Sequence, residues 1–277
     1  LLQLMEINTT DTLLVFTNKG NYLYIPVHEL PDIKWKDMGQ HVANIISIPG
    51  DEKVVKAIPV REFNSKLFIL SVTKNGMIKK TTLDLYKVQR YSRPINAMKL
   101  KKNDEVVNVH LTDGNQEVFI ANDRGFGLWF HESELNPIGI KAAGVKSMSL
   151  KDGEQIINGE VFGDLSEPSL FIVTHRGACK RMTLSQFEQS NRAKRGLSML
   201  RELKRNAHRL VGFHLVGEDT TIRLKTDHGD IETVMPLNFK TADRYSNGSF
   251  VVDTDQTGAV IDTQVEARYR KYFSTNE

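Results

Sequence analysis

One short pattern occurs five times along this chain: an apolar run, a polar turn that ends in glycine, and a second run of mostly apolar residues. The five copies read LLVFTNKGNYLYI, FILSVTKNGMIKK, VFIANDRGFGLWF, FIVTHRGACKRM and IRLKTDHGDIETV. Their turn glycines are Gly20, Gly76, Gly125, Gly177 and Gly229, spaced 56, 49, 52 and 52 residues apart. Because glycine adopts positive φ readily in tight turns, each copy predicts a β-hairpin. A repeat of this period confines the chain to similar units that pack side by side.

A second glycine column follows the turn glycine by 19 residues in four of the copies. Its members are Gly39, Gly144, Gly196 and Gly248, and the second copy has Pro94-Ile95 at this point. Next comes a short apolar stretch such as NIISI or GLSML, and then a strand pattern such as EKVVKAI or EQIINGEVF. Each unit therefore predicts four short strands, which is typical of the blades of a propeller.

The common register of the copies predicts a single all-β domain over residues 1–277. We place five complete repeats near 11–60, 66–111, 116–162, 168–216 and 220–265, with a tail at 266–277. Residues 1–10 contain LLQLMEI, which matches the last strand pattern of a repeat, so we interpret them as the remnant of an upstream sixth repeat. The chain does not begin with Met, and we expect it to be part of a longer protein.

Charge alternates along the chain, although the net charge is only +3. Residues 74–102 and 176–209 each carry a net +8, whereas residues 103–175 carry −8 and residues 210–277 carry −4. Solvated surfaces usually mix the two signs, so the basic blocks favour a negatively charged partner. The alternative is that folding brings basic and acidic blocks together, where they neutralise each other.

The most basic run is SNRAKRGLSMLRELKRNAHR, residues 190–209. Its apolar residues lie three or four apart, which is also the pattern of an amphipathic helix at a membrane surface. Gly196, however, belongs to the second glycine column. We therefore interpret SNRAKR as a loop, GLSML as the start of a strand and RELKRNAHR as the link to the last strand of the repeat.

Catalytic, metal and membrane motifs are not found in the sequence. No apolar run approaches the roughly 20 residues of a membrane span, and no phosphate-binding P-loop motif occurs. The histidines lack metal-site spacing, and the pairs Arg90-Tyr91 and Arg244-Tyr245 lie in predicted loops, where we do not expect a nucleophile. One cysteine, Cys179, rules out an internal disulfide and favours a reducing cytoplasm. We expect no catalysis, metal or cofactor in this part of the protein.

The repeat resembles that of the C-terminal DNA-wrapping domain of bacterial type IIA topoisomerase A subunits. That family repeat combines an apolar strand with T-x-x-G and a following h-x-K-x-h, where h is apolar. VTKNGMIKKTTLDL and VTHRGACKRMTLSQF match it closely, and the register extends the resemblance over almost the whole chain. The resemblance implies a β-pinwheel, a propeller-like disc whose neighbouring blades exchange strands. WD40 and kelch signatures are missing.

Within the family, IKAAGVKSMSL and NRAKRGLSMLRELKRNAHR are similar to the topoisomerase IV branch, and DIKWKDMGQHVANI lacks the Arg-Gly pattern of gyrase A, the second possibility. The resemblance implies a non-catalytic domain that bends double-stranded DNA with low sequence specificity. It would present that DNA to a strand-passage core during decatenation and supercoil relaxation. It also implies, as partners in a bacterial cytoplasmic heterotetramer, the remainder of the A polypeptide and the ATPase polypeptide of the enzyme. ATP and Mg²⁺ would be used by other domains, and no membrane is involved.

By repeat position, the resemblance places the DNA-facing cations in the strand after each turn and in the loop before the second glycine column. The expected DNA contacts, with those of the 190–209 run, are Lys34, Lys36, Lys79, Lys80, Lys87, Arg90, Arg93, Lys141, Lys180, Arg181, Arg192, Lys194, Arg195, Arg201, Lys204 and Arg205, and the fifth repeat adds Lys240 and Arg244. The acidic third and fifth repeats suggest that DNA follows an arc, mainly over repeats two and four. A propeller that binds acidic proteins is the alternative from another class. A glycan-processing propeller needs convergent carboxylates, which the repeat columns lack.

Overall fold

The computed structural model describes residues 3–34, 36–163, 168–267 and 269–271. The first strands are β1 (Leu4–Glu6), β2 (Thr12–Thr17), β3 (Asn21–Pro26), β4 (Val54–Val60), β5 (Phe68–Thr73), β6 (Met77–Thr82), β7 (Ile95–Asn96) and β8 (Val106–Thr112). The third and fourth repeats hold β9 (Glu117–Asn122), β10 (Phe126–His131), β11 (Val145–Lys146), β12 (Ile156–Phe162), β13 (Ser169–Thr174), β14 (Ala178–Thr183), β15 (Leu197–Ser198) and β16 (Leu210–Val216). The last strands are β17 (Ile222–Thr226), β18 (Ile231–Val234), β19 (Ser249–Phe250), β20 (Val260–Val265) and β21 (Tyr269–Lys271).

Helix is scarce, as the strand patterns predict. The described ranges contain two short α-helices, α1 (Val42–Ile45) and α2 (Thr254–Thr257). A 3₁₀ turn follows the second strand of each repeat, at Val27–Glu29, Leu83–Tyr86, Glu132–Glu134, Leu184–Gln186 and Pro236–Asn238. The five-fold recurrence of this turn shows that the repeats share their local structure as well as their spacing.

Four of the blades are four-stranded antiparallel sheets, and the outer strand of each comes from the following repeat. The strand orders are β4-β2-β3-β7, β8-β5-β6-β11, β12-β9-β10-β15 and β16-β13-β14-β19. The chain therefore leaves its own sheet after the second strand, lends two residues to the sheet before it, and returns as the last strand. This exchange confirms the propeller-like β-pinwheel that the resemblance implies.

The two ends of the repeat array differ from the interior. The fifth blade has three strands in the order β20-β17-β18, and within the described ranges no strand pairs with the outer edge of β18. In the first repeat, the stretch NIISI, residues 44–48, does not form an exchanged strand; α1 (Val42–Ile45) ends within it instead. Within the described residues this segment pairs with no sheet, and Ile46 packs on the first blade.

The hydrophobic core lies between the blades, because successive side chains of a strand face opposite neighbours. In β5, Ile69 packs with Phe16 of the first blade, whereas Leu70 packs with Val118 and Phe130 of the third. All five side chains are buried. The second blade is therefore stabilised by both of its neighbours, as in other repeat proteins.

The last strands of the repeats lie side by side around the axis of the disc. Beside β4, the Gln3 side chain accepts a hydrogen bond from the Ala57 N–H at 2.7 Å and donates one to its carbonyl at 2.9 Å. The adjoining strand β1 pairs in parallel with β21, so the two ends of the described chain meet. Residues 1–2 of the predicted remnant and the predicted tail beyond 271 lie outside the described residues.

The second glycine column lies where an exchanged strand meets the neighbouring sheet. Gly144, Gly196 and Gly248 have φ values of 86°, 83° and 81°. A Cβ on Gly144 would lie 2.6 Å from the Ile78 carbonyl oxygen. Only glycine permits both this backbone conformation and this close approach. The second glycine column therefore marks the point at which the chain of one repeat enters the sheet of its neighbour.

Candidate nucleic-acid interface

A loop precedes each exchanged strand and a second loop follows three of them, and together these loops carry most of the basic residues predicted from the sequence. We call residues 87–94, 138–144, 190–196 and 240–248, which precede the exchanged strands, the leading loops. We call residues 99–103, 149–153 and 201–206, which follow them, the trailing loops. Both exist because the chain has to cross to the neighbouring sheet and return. The exchange therefore concentrates loops at the edges between blades.

The leading loop of one repeat is bonded to the trailing loop of the repeat before it. The Lys99 N–H donates to the Ala142 carbonyl at 3.2 Å, and the Ser149 N–H donates to the Lys194 carbonyl at 2.9 Å. At the next boundary, the Asn247 side chain accepts from the Arg201 N–H at 2.9 Å and donates to the Arg201 carbonyl at 3.0 Å. We call this continuous series of leading and trailing loops the basic band.

The band exposes cations of both loop types. Those of the leading loops are Lys87, Arg90, Arg93, Lys141, Lys194 and Lys240, and those of the trailing loops are Lys99, Lys101, Lys102, Lys151, Arg201, Lys204 and Arg205. Within the described ranges, no acidic side chain pairs with any of them. The structure therefore brings most of the expected loop cations into one series.

Lys101, Lys151 and Lys204 occupy the same point of three successive trailing loops. Each follows a leucine and stands two residues before Asn103, Gly153 or Asn206, which have positive φ. The sequence-based prediction missed Lys99, Lys101, Lys102 and Lys151. The recurring L-K-x-N/G pattern could have identified this position before the structure was known.

Lys34 and Lys36 of the first repeat are exposed, but they lie outside the band. Their loop precedes the segment that forms α1 instead of an exchanged strand. Trp35 between them lies outside the described residues. The first repeat therefore adds exposed cations without continuing the band.

Lys180 and its counterpart Lys79 lie in the interior rather than on the band. Both side chains are 1% exposed. The Lys180 ammonium donates to the carbonyls of Met199 at 2.5 Å, Asp243 at 2.9 Å and Ser246 at 2.7 Å. Lys79 donates likewise to the carbonyls of Ala97 and Ile140. Burial lowers the pKa of each lysine to about 8. Each of these lysines therefore joins two consecutive repeats and is not exposed on the surface of the band.

Lys80 and Arg181 are also committed to protein partners. Lys80 is buried, donates to the Glu132 carbonyl at 3.0 Å and pairs with its carboxylate at 3.5 Å. The Arg181 Nε donates to the Phe239 carbonyl at 2.9 Å. We therefore exclude from the candidate interface all four cations that follow the turns, namely Lys79, Lys80, Lys180 and Arg181. The alternation of side chains along β6 and β14 directs them into blade boundaries, where carbonyls compensate their charge.

Arg192 and Arg195 shape the most basic leading loop. The Arg195 guanidinium donates to both carboxylate oxygens of Glu154 and stacks 4.0 Å from the centre of the Phe126 ring. The Arg195 hydrogen bond holds the pKa of Glu154 below its usual value. The backbone N–H of Arg192 donates to the Glu134 carboxylate at 3.0 Å, and the Arg192 guanidinium donates to the Lys146 carbonyl. Among the expected contacts Arg192, Lys194 and Arg195, only the Lys194 side chain has no partner in the described part of the chain.

Arg244 occupies the position of Arg192 one repeat later and plays the same part. Its guanidinium donates to the Ser198 carbonyl at 3.0 Å and to the Gln186 carbonyl at 3.0 Å. Ser198 and Lys146 are equivalent residues of two exchanged strands. The two arginines therefore join each leading loop to the exchanged strand of the preceding repeat. They position the band, and the exposed lysines face solvent beside them.

His208 stands where the preceding repeats have Glu52, Asp104 and Glu154, just before the last strand. It is buried against the Thr174 hydroxyl at 2.9 Å and the Arg176 guanidinium at 3.2 Å. Arg176 donates to Nε2, so the proton of the neutral ring is on Nδ1. Burial, with the nearby Arg176 charge, lowers the pKa of His208 to about 4.

We expect the fourth repeat to lose stability as the pH falls from 6.5 towards 4. The unfolded chain binds a proton on His208 in that interval and the folded chain does not, so acid favours unfolding. His208→Gln removes this titration and should reduce the loss between pH 7 and 5 by on the order of 1 kcal/mol. Urea unfolding at both pH values measures the difference. His214, whose pKa burial lowers to about 4, titrates in both proteins. An equal loss in the two proteins would contradict the assignment.

The described residues offer neither a metal site nor a membrane span. Among them, no three His, Cys, Asp or Glu side chains are grouped to hold a metal ion. Over the same residues, every helix is too short or too polar to cross a lipid bilayer.

The sequence of the chain is similar to those of known bacterial proteins. A family model described as the DNA gyrase C-terminal domain, a β-propeller, matches residues 11–61, 68–113, 116–162 and 168–216. The A subunit of DNA topoisomerase 4 from Bacillus subtilis (strain 168) is 50% identical over 260 residues, which are 94% of this chain and 32% of that protein. The chain therefore spans about a third of the length of this relative.

Two solved structures are similar to the whole disc. The crystal structure of the C-terminal domain of DNA topoisomerase IV matches with a TM-score of 0.91 and 52% identity, covering 94% of this chain and 80% of that one. The structure of the DNA gyrase A C-terminal domain matches with a TM-score of 0.72 and 19% identity, covering 94% of this chain and 84% of that one. The second likeness bears on the fold alone.

Proposed function

The chain belongs to the family of the DNA gyrase C-terminal domain, and from that premise we propose that it binds and bends duplex DNA along the basic band. The duplex carries one charge per roughly 1.7 Å of axis, so a bent path needs cations distributed along it. Bending 20–30 bp by 40–90° costs on the order of 1–6 kcal/mol, which several phosphate contacts together can offset.

The repetition of Lys101, Lys151 and Lys204 carries this proposal. These lysines are exposed at one position of three successive trailing loops, and hydrogen bonds join each trailing loop to the next leading loop. A row of equivalent charges fits the repeating phosphates of a duplex without contacting any base. Phosphate contacts set the path and carry no sequence information, so we expect low sequence specificity.

The acidic fifth repeat would end the arc. In its trailing segment, Asp253 and Asp255 are exposed, and α2 replaces the L-K-x-N/G turn of the preceding repeats. Repulsion between these carboxylates and phosphate favours a path over repeats two to four. The third repeat contributes Lys141 and Lys151 to this path in spite of its net negative charge.

We assign the chain to the branch of the topoisomerase IV A polypeptide, because its sequence identities of 50% and 52% are with members of that branch. In this proposal the domain is not itself catalytic and presents DNA to a strand-passage core during decatenation and supercoil relaxation. The remainder of the A polypeptide and the ATPase polypeptide would be its partners in the bacterial cytoplasm. ATP and Mg²⁺ would act in those other parts.

A sixth repeat upstream would complete the disc. The free edge of β18 lacks an exchanged strand, and residues 40–48 lack a sheet to enter, within the described ranges. Both open positions lie at the ends of the array, which one further repeat would join. In the solved topoisomerase IV domain, this chain matches only 80% of the length, which leaves room for such a repeat.

Reversing the charge at Lys101, Lys151 and Lys204 tests DNA binding directly. We expect the triple Glu variant to bind duplex DNA more weakly than the native chain. The slope of log K against log salt should become shallower by about 3, because three phosphate contacts are lost. Fluorescence anisotropy of a labelled duplex of about 40 bp, long enough to span several of the proposed contacts, measured over a salt series with the native chain alongside, gives both values.

The matched control reverses Lys66, Arg223 and Lys225, which are exposed outside both sets of loops. It changes the net charge by the same amount, so any long-range effect of charge appears in both variants. We expect the control to retain nearly the native slope. Equal slopes in the two variants would refute the assigned path. If the native chain itself bound DNA without salt dependence, acidic protein partners would become the better interpretation.

A further inference from the structure

Two aromatic side chains are exposed on the described surface beside the exchanged strand β19. Tyr245, in the leading loop of the fifth repeat, is 72% exposed, and Phe250, at the end of β19, is 61% exposed. The aromatic rings of the core, such as Phe119 and Phe213, are fully buried. Burying a ring of this size is strongly favourable, so its exposure on a folded domain points to a surface that contacts something.

The surroundings of these rings are basic on the side of the fourth repeat, whereas the exposed carboxylates of Asp243, Asp253 and Asp255 lie beside them on the side of the fifth. On one side, the leading loop that carries Tyr245 is bonded through Asn247 to Arg201 of the trailing loop. On the other side, the Arg176 guanidinium lies 5.6 Å from the Phe250 ring and donates to the Asn206 carbonyl at 2.7 Å. The two rings therefore stand at either end of the trailing loop 201–206. That loop also carries the exposed side chains of Lys204 and Arg205.

The repeat register shows that side chains at these two positions can face the solvent at a complete blade boundary as well. Counted from Gly144 and Gly248, Tyr245 corresponds to Lys141 and Phe250 corresponds to Lys146. Both lysines are exposed, although the leading loop of the fourth repeat is in place beside them. Their counterparts in the fourth repeat, Ala193 and Ser198, are half-buried. Exposure at these positions therefore does not require the open end of the array. The fifth repeat has two aromatic rings where the third has two lysines.

We propose that Tyr245 and Phe250 contact the duplex as an apolar wedge at the end of the basic band. This inference rests on the proposed function, because the trailing loop between the rings supplies the attraction for phosphate. Apolar side chains that enter the minor groove partly unstack a base step and kink the duplex by roughly 20–90°. A kink between the fourth and fifth repeats would turn the DNA away from the acidic fifth blade. The occupant is duplex DNA because its charge complements the adjacent cations.

The experiment compares two double variants of the 277-residue chain. Tyr245→Ser with Phe250→Ser removes the rings, and Lys141→Ser with Lys146→Ser removes the lysines at the equivalent positions. Energy transfer between dyes at the two ends of a bound duplex reports bending, and titrations over a salt series give affinity and slope. For the aromatic variant we expect lower transfer at saturation, a loss of about tenfold in affinity and an unchanged slope, because stacking contacts are uncharged. For the lysine variant we expect the slope to fall by about 2 and the bend to persist.

A third variant, Tyr245→Lys with Phe250→Lys, gives the fifth repeat the residues of the third. It should bind with a steeper slope and still bend the duplex less than the native chain. Native bend and affinity in the aromatic Ser variant would overturn the proposal, and so would a loss of thermal stability without a change in bending. If the native chain showed no salt-dependent binding at all, the proposed function would fail first. The two failures are therefore distinguishable.

Discussion

Gly196→Ala is expected to lower the free energy of unfolding by about 3 kcal/mol. Gly196 has a φ of 83°, a conformation that costs an alanine about 1–2 kcal/mol. Its added Cβ would also lie well inside van der Waals contact distance of the Gly127 carbonyl oxygen, in the sheet that receives β15. The backbone would have to move apart, and the pairs between β15 and β10 would weaken. Denaturant unfolding followed by circular dichroism measures the change.

Gly39→Ala is the matched control, because Gly39 belongs to the same sequence column but not to a joint. Its φ is not positive, and the atom nearest to an added Cβ would be Cδ1 of Ile33, 4.0 Å away. We expect a change below about 0.5 kcal/mol in the native sequence background. Similar losses in the two variants would contradict the role of Gly196. In a longer chain that contains an upstream repeat, Gly39→Ala should become as costly as Gly196→Ala.

Lys180→Met is expected to destabilise the chain by a similar amount, about 3 kcal/mol. Methionine fills much of the same volume but leaves the carbonyls of Met199, Asp243 and Ser246 without the ammonium that they share. A buried acceptor without a partner costs about 1–3 kcal/mol, and part of this cost is offset because a buried charge is removed. The same unfolding measurement applies.

Lys194→Met provides the comparison for this variant, since Lys194 is exposed and its side chain has no partner in the described ranges. We expect nearly native stability for Lys194→Met but a DNA-binding slope shallower by about 1. Lys180→Met, measured under conditions where it is folded, should retain the native slope. A shallower slope for Lys180→Met would return Lys180 to the set of phosphate contacts.

Much of the fold could be predicted from the chain because β-hairpins are local. The turn glycines such as Gly76 and the apolar runs on either side define two strands of each blade, and β5 and β6 occur where they were expected. The exchange could not be derived from spacing, because β7 pairs with a strand of another repeat. It followed from the family resemblance. The helix α1 could not be foreseen either, since it depends on which sheet edges are available.

The candidate site could be predicted only in part. Loop cations such as Lys87 and Lys141 are exposed, as their predicted loop positions suggested. Lys79 and Lys180 look the same in the sequence, yet they lie inside a blade boundary. The difference arises from carbonyls contributed by two repeats, and a single repeat gives no sign of them. A basic residue in a strand can therefore be a structural link as readily as a ligand for phosphate.

Strand exchange also determines the order in which the blades are completed during synthesis. After the ribosome has released β5 and β6, the outer edge of β6 remains unpaired. Its partner strand, Val145–Lys146, is synthesised only after β7 to β10. Each nascent blade thus exposes an unpaired edge until its successor emerges. Such an edge can pair wrongly with another chain. A pause in translation just before an exchanged strand would lengthen that exposure, whereas a pause just after one would let the blade close.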